Sequence, residues 1–245
     1  MGTDELEVTL RLLWRHERPG PARAKPGPRQ RLDLDAVVAA AIDLADDRGL
    51  AGVSIRALST RLGIGAMSVY TYVTSRDQLL ALMVDDALGG LALPPHVPDL
   101  GARLEAVADV TYRAHRRHPW LAEASGPRPG LGPHAFALYE WQLEAVQPLG
   151  VDDLELDQAV SLLTGFALNA AVLAGQWVDE PQDDLDWWAT AAPVLEELTD
   201  ARRHPLAHRV GTAVGEAYGA GRDTGREYAF GLLAIVHGLR QLSRG

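Results

Sequence analysis

Hydrophobic residues along this chain recur at three- and four-residue intervals rather than in alternation. Val38, Ile42 and Ala45 share one helical face, and Ile55, Leu58 and Leu62 share another. Near the C-terminus Ala229, Leu232, Leu233, Val236 and Leu239 form a longer stripe. With no alternating run of β-branched residues, the pattern predicts an all-α fold. Cap residues mark the elements. Asp33 opens a helix that runs to Arg48 and stops at Gly49, with Leu32 and Val37 at staple positions. Ser54 opens a short helix ending at Gly63, and Ser75 with Gln78 forms a capping box for a helix over 76–88. The stretch LPPHVPD, Leu93 to Asp99, breaks any helix and separates a unit over 31–91 from one over 99–245. Beyond it the spacing predicts helices near 100–118, 133–149, 154–178, 185–199, 206–218 and 225–243. Asp152 with Glu155 and Thr224 with Glu227 read as capping boxes for two of them.

The stretch RLGIGAMSVYTYV, Arg61 to Val73, changes this picture from bundle to instrument. Helices over 54–62 and 66–73 joined by Gly63-Ile64-Gly65 follow the helix-turn-helix plan, motif 54–73, whose second helix lies in the DNA major groove. That helix offers Ala66, Met67, Ser68, Thr71 and Tyr72 outward. Tyr70 is placed to reach a phosphate, and Tyr72 faces more toward the groove. The same spacing also suits a small three-helix core with no DNA partner.

Composition narrows the classes. A chain of 245 residues that is 47% hydrophobic can bury a substantial core. The absence of cysteine excludes disulfides and thiolate metal sites. The formal net charge of −10 is unevenly spread, because the acid is concentrated after residue 91. Between Arg15 and Arg31, Arg15, Arg18, Arg23, Lys25, Arg29 and Arg31 face Glu17 alone among prolines and glycines, so residues 1–30 read as a flexible basic arm. Asp4, Glu5 and Glu7 ahead of Leu10, Leu12, Leu13 and Trp14 do not make a secretory signal. Gln158 to Val178 carries no charge over a membrane-spanning length, but acidic flanks without Lys or Arg favour a buried helix over a membrane span. His115 and His118 have a metal-compatible spacing, yet Arg116 and Arg117 between them make a poor cation site. No nucleophile elbow, zinc-protease motif or phosphate-binding glycine loop is present, so no catalytic residue, metal or cofactor is assigned.

Leu32 to Met83 resembles the DNA-binding domain of the tetracycline repressor (TetR) family along its whole length, including Ala-Leu-Ser-x-Arg-Leu-Gly, Tyr70 and Tyr-Val-x-x-Arg-Asp-x-Leu-Leu. The resemblance implies DNA contacts from Ser54, Arg56, Ala66, Met67, Ser68, Tyr70, Thr71, Tyr72 and Arg76. Arg56 is the candidate for a guanine, and Tyr70 and Arg76 position the backbone. Family members often carry Gln and Pro where this chain has Ala66 and Met67, so base preference does not transfer. The resemblance also implies a homodimer through helices near 154–178 and 225–243 and a small-molecule pocket in the second unit.

"GPRP" at 126–129 and "LYEWQL" at 138–143 resemble the tetracycline-binding branch and imply Gln142 as a pocket residue. Trp120, Phe136, Trp141, Phe166 and Trp177 are candidates to line an apolar cavity. Glu123, Ala124 and Ser125 stand where that branch has a chelating histidine, which argues against a Mg-chelated tetracycline. The expected protein is a cytoplasmic, non-enzymatic, ligand-responsive repressor that releases palindromic double-stranded operator DNA on binding a small apolar or aromatic molecule. The alternatives are an all-α enzyme with an accessory helix-turn-helix module and a ligand-independent architectural DNA-binding protein.

Overall fold

The computed structural model describes residues 3–17, 32–124, 130–176, 181–220 and 222–242, and within them there are helices, short turns and no strand. The helices are α1 (Thr3–Leu13), α2 (Leu34–Arg48), α3 (Ile55–Leu62), α4 (Ala66–Val69), α5 (Arg76–Gly89), α6 (Leu100–Arg117), α7 (Leu121–Ala124), α8 (Pro133–Val146), α9 (Asp153–Gln176), α10 (Pro181–Leu198), α11 (Pro205–Tyr218) and α12 (Thr224–Leu242).

Most helix starts are where the cap residues put them. Asp33 accepts the N–H of Ala36 at 2.9 Å, Ser54 that of Ala57 at 3.1 Å, and Asp99 that of Ala102 at 2.8 Å. Asp152 and Glu155 cap each other reciprocally at 2.9 and 3.2 Å. Two capping boxes are corrected. The Gln78 side chain accepts from Thr74 N–H at 2.9 Å rather than from Ser75, and α12 is capped by Asp223, which accepts from Arg226 N–H at 3.0 Å, rather than by Thr224.

Two cores result. Val38, Leu44, Leu58, Val69, Leu82 and Met83 join α2 to α5 in the first, where fully burying each such side chain is worth about 1.5–3 kcal/mol. Leu104, Val107, Val146, Leu163, Leu232 and Val236 join α6, α8, α9 and α12 in the second. α9 is long and apolar enough to cross a membrane, but it lays Ala159, Leu163, Ala167, Ala171 and Ala174 into protein and packs along α6. The expected dimer stripe divides: Leu232, Val236 and Leu239 are buried within the protomer, leaving Phe230 and Leu233 exposed. On α9 the outward face holds Leu162 and Gly165, with open space around the glycine.

The flexible arm is also corrected for its first part. Residues Thr3–Leu13 form α1, which packs on α5. Leu13 is in the first core, and Thr9, almost fully buried, accepts from the Gln78 amide at 3.3 Å. Arg15 pairs with Asp35 at 2.5 Å. These contacts work because Leu10 and Leu13 on α1, with Trp14 just after it, make an apolar face that the acidic residues ahead of it obscure in the sequence. The remaining basic stretch, 18–31, lies outside the described residues.

Candidate DNA interface and effector domain

The turn between α3 and α4 is made by Gly63, whose φ of 66° lies in the left-handed region that favours glycine, and Ile64 N–H returns to Ser59 O at 3.0 Å. α4 is shorter than expected: it ends at Val69, and Tyr70 to Val73 continue as hydrogen-bonded turns. Val69 and Val73 are fully buried, which fixes the orientation of the segment. Ala66, Met67, Ser68, Tyr70 and Thr71 face solvent, Met67 at 78% exposure.

Tyr72 departs from expectation. Its hydroxyl donates to Leu32 O at 2.8 Å, so the half-buried ring ties this segment to the start of α2 instead of facing the groove. Ser54, Tyr70 and Arg76 line one surface hollow together with Thr74 and Ser75. Arg76 also donates to Leu50 O at 3.1 Å, which anchors its guanidinium to the short turn after α2. Arg56 lies in a neighbouring hollow with Arg48, Ser54 and Arg61. Arg61 is engaged by Asp43 at 2.8 Å and Asp47 at 3.4 Å, and its pKa is raised chiefly by the hydrogen bond to Asp43. Arg48, on the last turn of α2, has no sequence motif to mark its place in this hollow.

Among the described residues, the expected pocket residues fall in different parts of the fold. Trp120 is 1% exposed in the first core, and its indole N–H donates to Asp46 at 2.6 Å. Phe136 is half exposed and meets Trp14 edge-on at 5.7 Å. Trp141 is buried in the second core, donates to Pro94 O at 2.9 Å and stacks on His96 at 5.2 Å. Gln142 is buried beside it on α8. Phe166 stacks on Tyr228 at 5.7 Å. Trp177 and the "GPRP" loop lie outside the described residues. Large aromatics at helical spacing serve packing here. His115 on α6 and His118 at its C-cap are used separately: His115 Nδ1 is 2.9 Å from Thr111 O, and His118 Nδ1 is 2.7 Å from Asp46.

Among the described residues, polar contacts join the helix-turn-helix unit to the helical domain at Asp46, Asp85 and Trp14. Asp46 on α2 receives His118 and Trp120. Asp85 on α5 receives the Ala135 N–H at 3.0 Å and stands 3.2 Å from His134. Trp14 donates to Leu131 O at 2.8 Å. An outward short helix on a glycine turn, held to an all-α domain through a linker helix, defines a helix-turn-helix DNA-binding regulator.

The comparisons with known proteins agree. Residues 37–83 match the family described as bacterial regulatory proteins, tetR family, and residues 94–243 match the tetracyclin repressor-like C-terminal domain. The chain belongs to the TetR family of transcriptional regulators, which bind operator DNA and characteristically act as homodimers. It is 34% identical to the HTH-type transcriptional repressor DrrR1 of Streptomyces coeruleorubidus, over 98% of this chain and 88% of that one. ActR of Streptomyces coelicolor in complex with actinorhodin has a similar fold, with a TM-score of 0.71 at 24% identity over 86% of this chain and 96% of that one. SCO7222, a TetR from the same organism, gives a TM-score of 0.67 at 26% identity over 86% and 99%.

Proposed function

We propose that this chain is a cytoplasmic repressor that holds a palindromic operator as a dimer and releases it when a small molecule binds its helical domain. The observation that carries the reading is the pairing of an outward α4 with a hollow lined by Ser54, Tyr70 and Arg76. Hydroxyls and a guanidinium converging beside exposed Met67 and Ser68 suit a phosphate next to base edges. Arg56 is assigned to a base, and Ala66, Met67, Ser68 and Thr71 to the groove floor. Tyr72 keeps a supporting role through Leu32. The exposed faces of α9 and α12, with Leu162, Phe230 and Leu233, join the two copies in this reading.

The printed description of DrrR1 as a repressor and of ActR as an actinorhodin complex supports the repressor and effector parts of the reading. An effector acts only through a difference in affinity between the DNA-bound and released conformations. No catalytic step is involved. Selection of duplexes from a random pool by the purified full-length protein is the test. The expected result is an inverted repeat with half-sites about one helical turn, roughly 34–36 Å, apart, bound less tightly as salt rises. Enrichment of no sequence, or of a single half-site, would overturn it.

A further inference from the structure

α11 buries none of its residues, and between it and α10 lies a cavity of about 520 Å³. That volume is within the range of small-molecule pockets, roughly 300–1,000 Å³. Small residues make the space. Ala207, Gly211 and Gly215 line one wall, and the Trp188 ring closes on Gly215 so tightly that a Cβ there would sit 3.1 Å from its Cζ2. Ala192 and Pro193 continue the apolar surface on α10.

The polar lining is one-sided in charge. Glu196, Asp200 and Glu216 contribute carboxylates and no lysine or arginine lines the cavity among the described residues, while His204, His208 and two threonines complete its lining. Asp200 is held in place by accepting Arg202 N–H at 2.8 Å. An indole wall favours a flat ring and attracts a positive charge over its face, and carboxylates around it reward the same charge. We propose that the α10–α11 cavity binds a cationic aromatic small molecule. The inference rests on the effector reading above and places the ligand away from Trp141, which is packed into the second core, and from Gln142, which is buried on the same helix.

The test uses the full-length dimer without DNA, titrated into rhodamine 6G, a cationic aromatic dye, and into fluorescein, an anionic dye of similar size, with fluorescence anisotropy as the readout. Saturable binding of rhodamine 6G at one site per protomer and weaker binding of fluorescein are expected. Gly215→Leu, which fills the cavity, and the paired exposed changes Glu196→Gln and Glu216→Gln should each weaken rhodamine 6G by about tenfold or more. The glutamine pair sits on the surface and keeps the test decisive if Gly215→Leu fails to fold. Equal affinity for both dyes, or unchanged affinity in the glutamine pair, would overturn the proposal. So would conversion to monomer by Gly215→Leu with unchanged rhodamine binding, which would assign this face to the second copy. Rhodamine 6G is then added to the protein bound to its selected operator: dye binding without operator release defeats the effector reading alone, whereas operator release by another molecule without dye binding defeats the cavity alone.

Discussion

Asp85 caps a helix that is not its own: from α5 its carboxylate accepts the N–H of Ala135, in the first turn of α8, at 3.0 Å. The residue at the N-cap position of α8 is Gly132, which has no side chain to do this, and a Cβ there would come within 2.2 Å of the Asp85 carboxylate. The linker helix and the second domain are therefore joined by a part-buried hydrogen bond between a buried acid and the backbone at the positive end of α8. Asp85→Ala should cost about 0.5–2 kcal/mol in urea unfolding, as loss of a helix cap does. A midpoint equal to that of the unaltered protein would mean that water replaces the carboxylate without loss.

The N-terminal helix makes a second prediction, opposite to the one its sequence suggests. Leu13→Ala should destabilise by about 2–5 kcal/mol, since the side chain is 6% exposed within the first core. Removal of residues 1–17 should cost at least as much, because it also strips Thr9 from the buried Gln78 amide and Arg15 from Asp35. Denaturant midpoints measure both. A truncated protein that unfolds at the same midpoint would return α1 to the status of a dispensable arm.

Why α1 was illegible and α2 to α5 were not is a matter of where the information lies. Asp33, Gly49, Ser54, Gly63 and Ser75 act on backbone groups within a few residues, so their meaning is local and readable. The role of α1 depends on a groove that exists only once α5 and α8 are in place. The same holds for the aromatics. Trp120 and Trp141 are equally hydrophobic as letters, but Asp46 claims one and Pro94 the other, across separations that no periodicity reveals. The spacing placed Ala66, Met67, Ser68, Tyr70 and Thr71 on the outer surface, where they are, but not Tyr72, whose hydroxyl finds Leu32 at a distance of forty residues. The α10–α11 cavity had one sequence trace, the glycines at 211 and 215 that line it, and the Trp188 that Gly215 meets is on another helix.

Arg56 and Arg76 should separate on DNA. Arg56→Ala is expected to relax preference at one base in each half-site, by about 1–3 kcal/mol of discrimination. Arg76→Ala and Tyr70→Phe should weaken binding to every duplex alike, since both residues line the hollow assigned to the backbone. Affinities measured across single-base operator variants decide the matter. A uniform loss for Arg56→Ala would move it to the phosphate class.

Gly231 on α12 faces Phe166 on α9 so closely that an added Cβ would lie 2.4 Å from the ring's Cζ. Phe166 in turn stacks on Tyr228, and Tyr228 stacks on Tyr112 of α6 at 4.5 Å, so the ring cannot withdraw without disturbing three helices. Gly231→Ala should destabilise by about 1–3 kcal/mol through overpacking. Combined with Phe166→Leu, it should cost less than the sum of the single changes, a coupling that a double-mutant cycle in urea would read. Strict additivity would show that the helices separate instead.

The last prediction concerns acid. Burial of His115 on α6 pushes its pKa below the ordinary histidine value, and the bond between Nδ1 and Thr111 O opposes that shift only in part. The unfolded chain then takes up this proton before the folded one does. The stabilising contribution is fully present above about pH 6.5 and is lost as pH falls below that value toward the folded pKa, with a slope of at most about 1.4 kcal/mol per unit. Asp35 also favours the folded state: burial would raise its pKa, but the hydrogen bonds from Arg15 and His16 outweigh this and lower it. Its contribution is retained until pH falls below the carboxylate range, which separates the two windows. His115→Gln should therefore flatten the decline in stability between pH 7.5 and 5.5 and leave the decline below about pH 4 in place. Urea midpoints across that range measure it, and an equally steep decline in the variant would assign the upper window to another histidine.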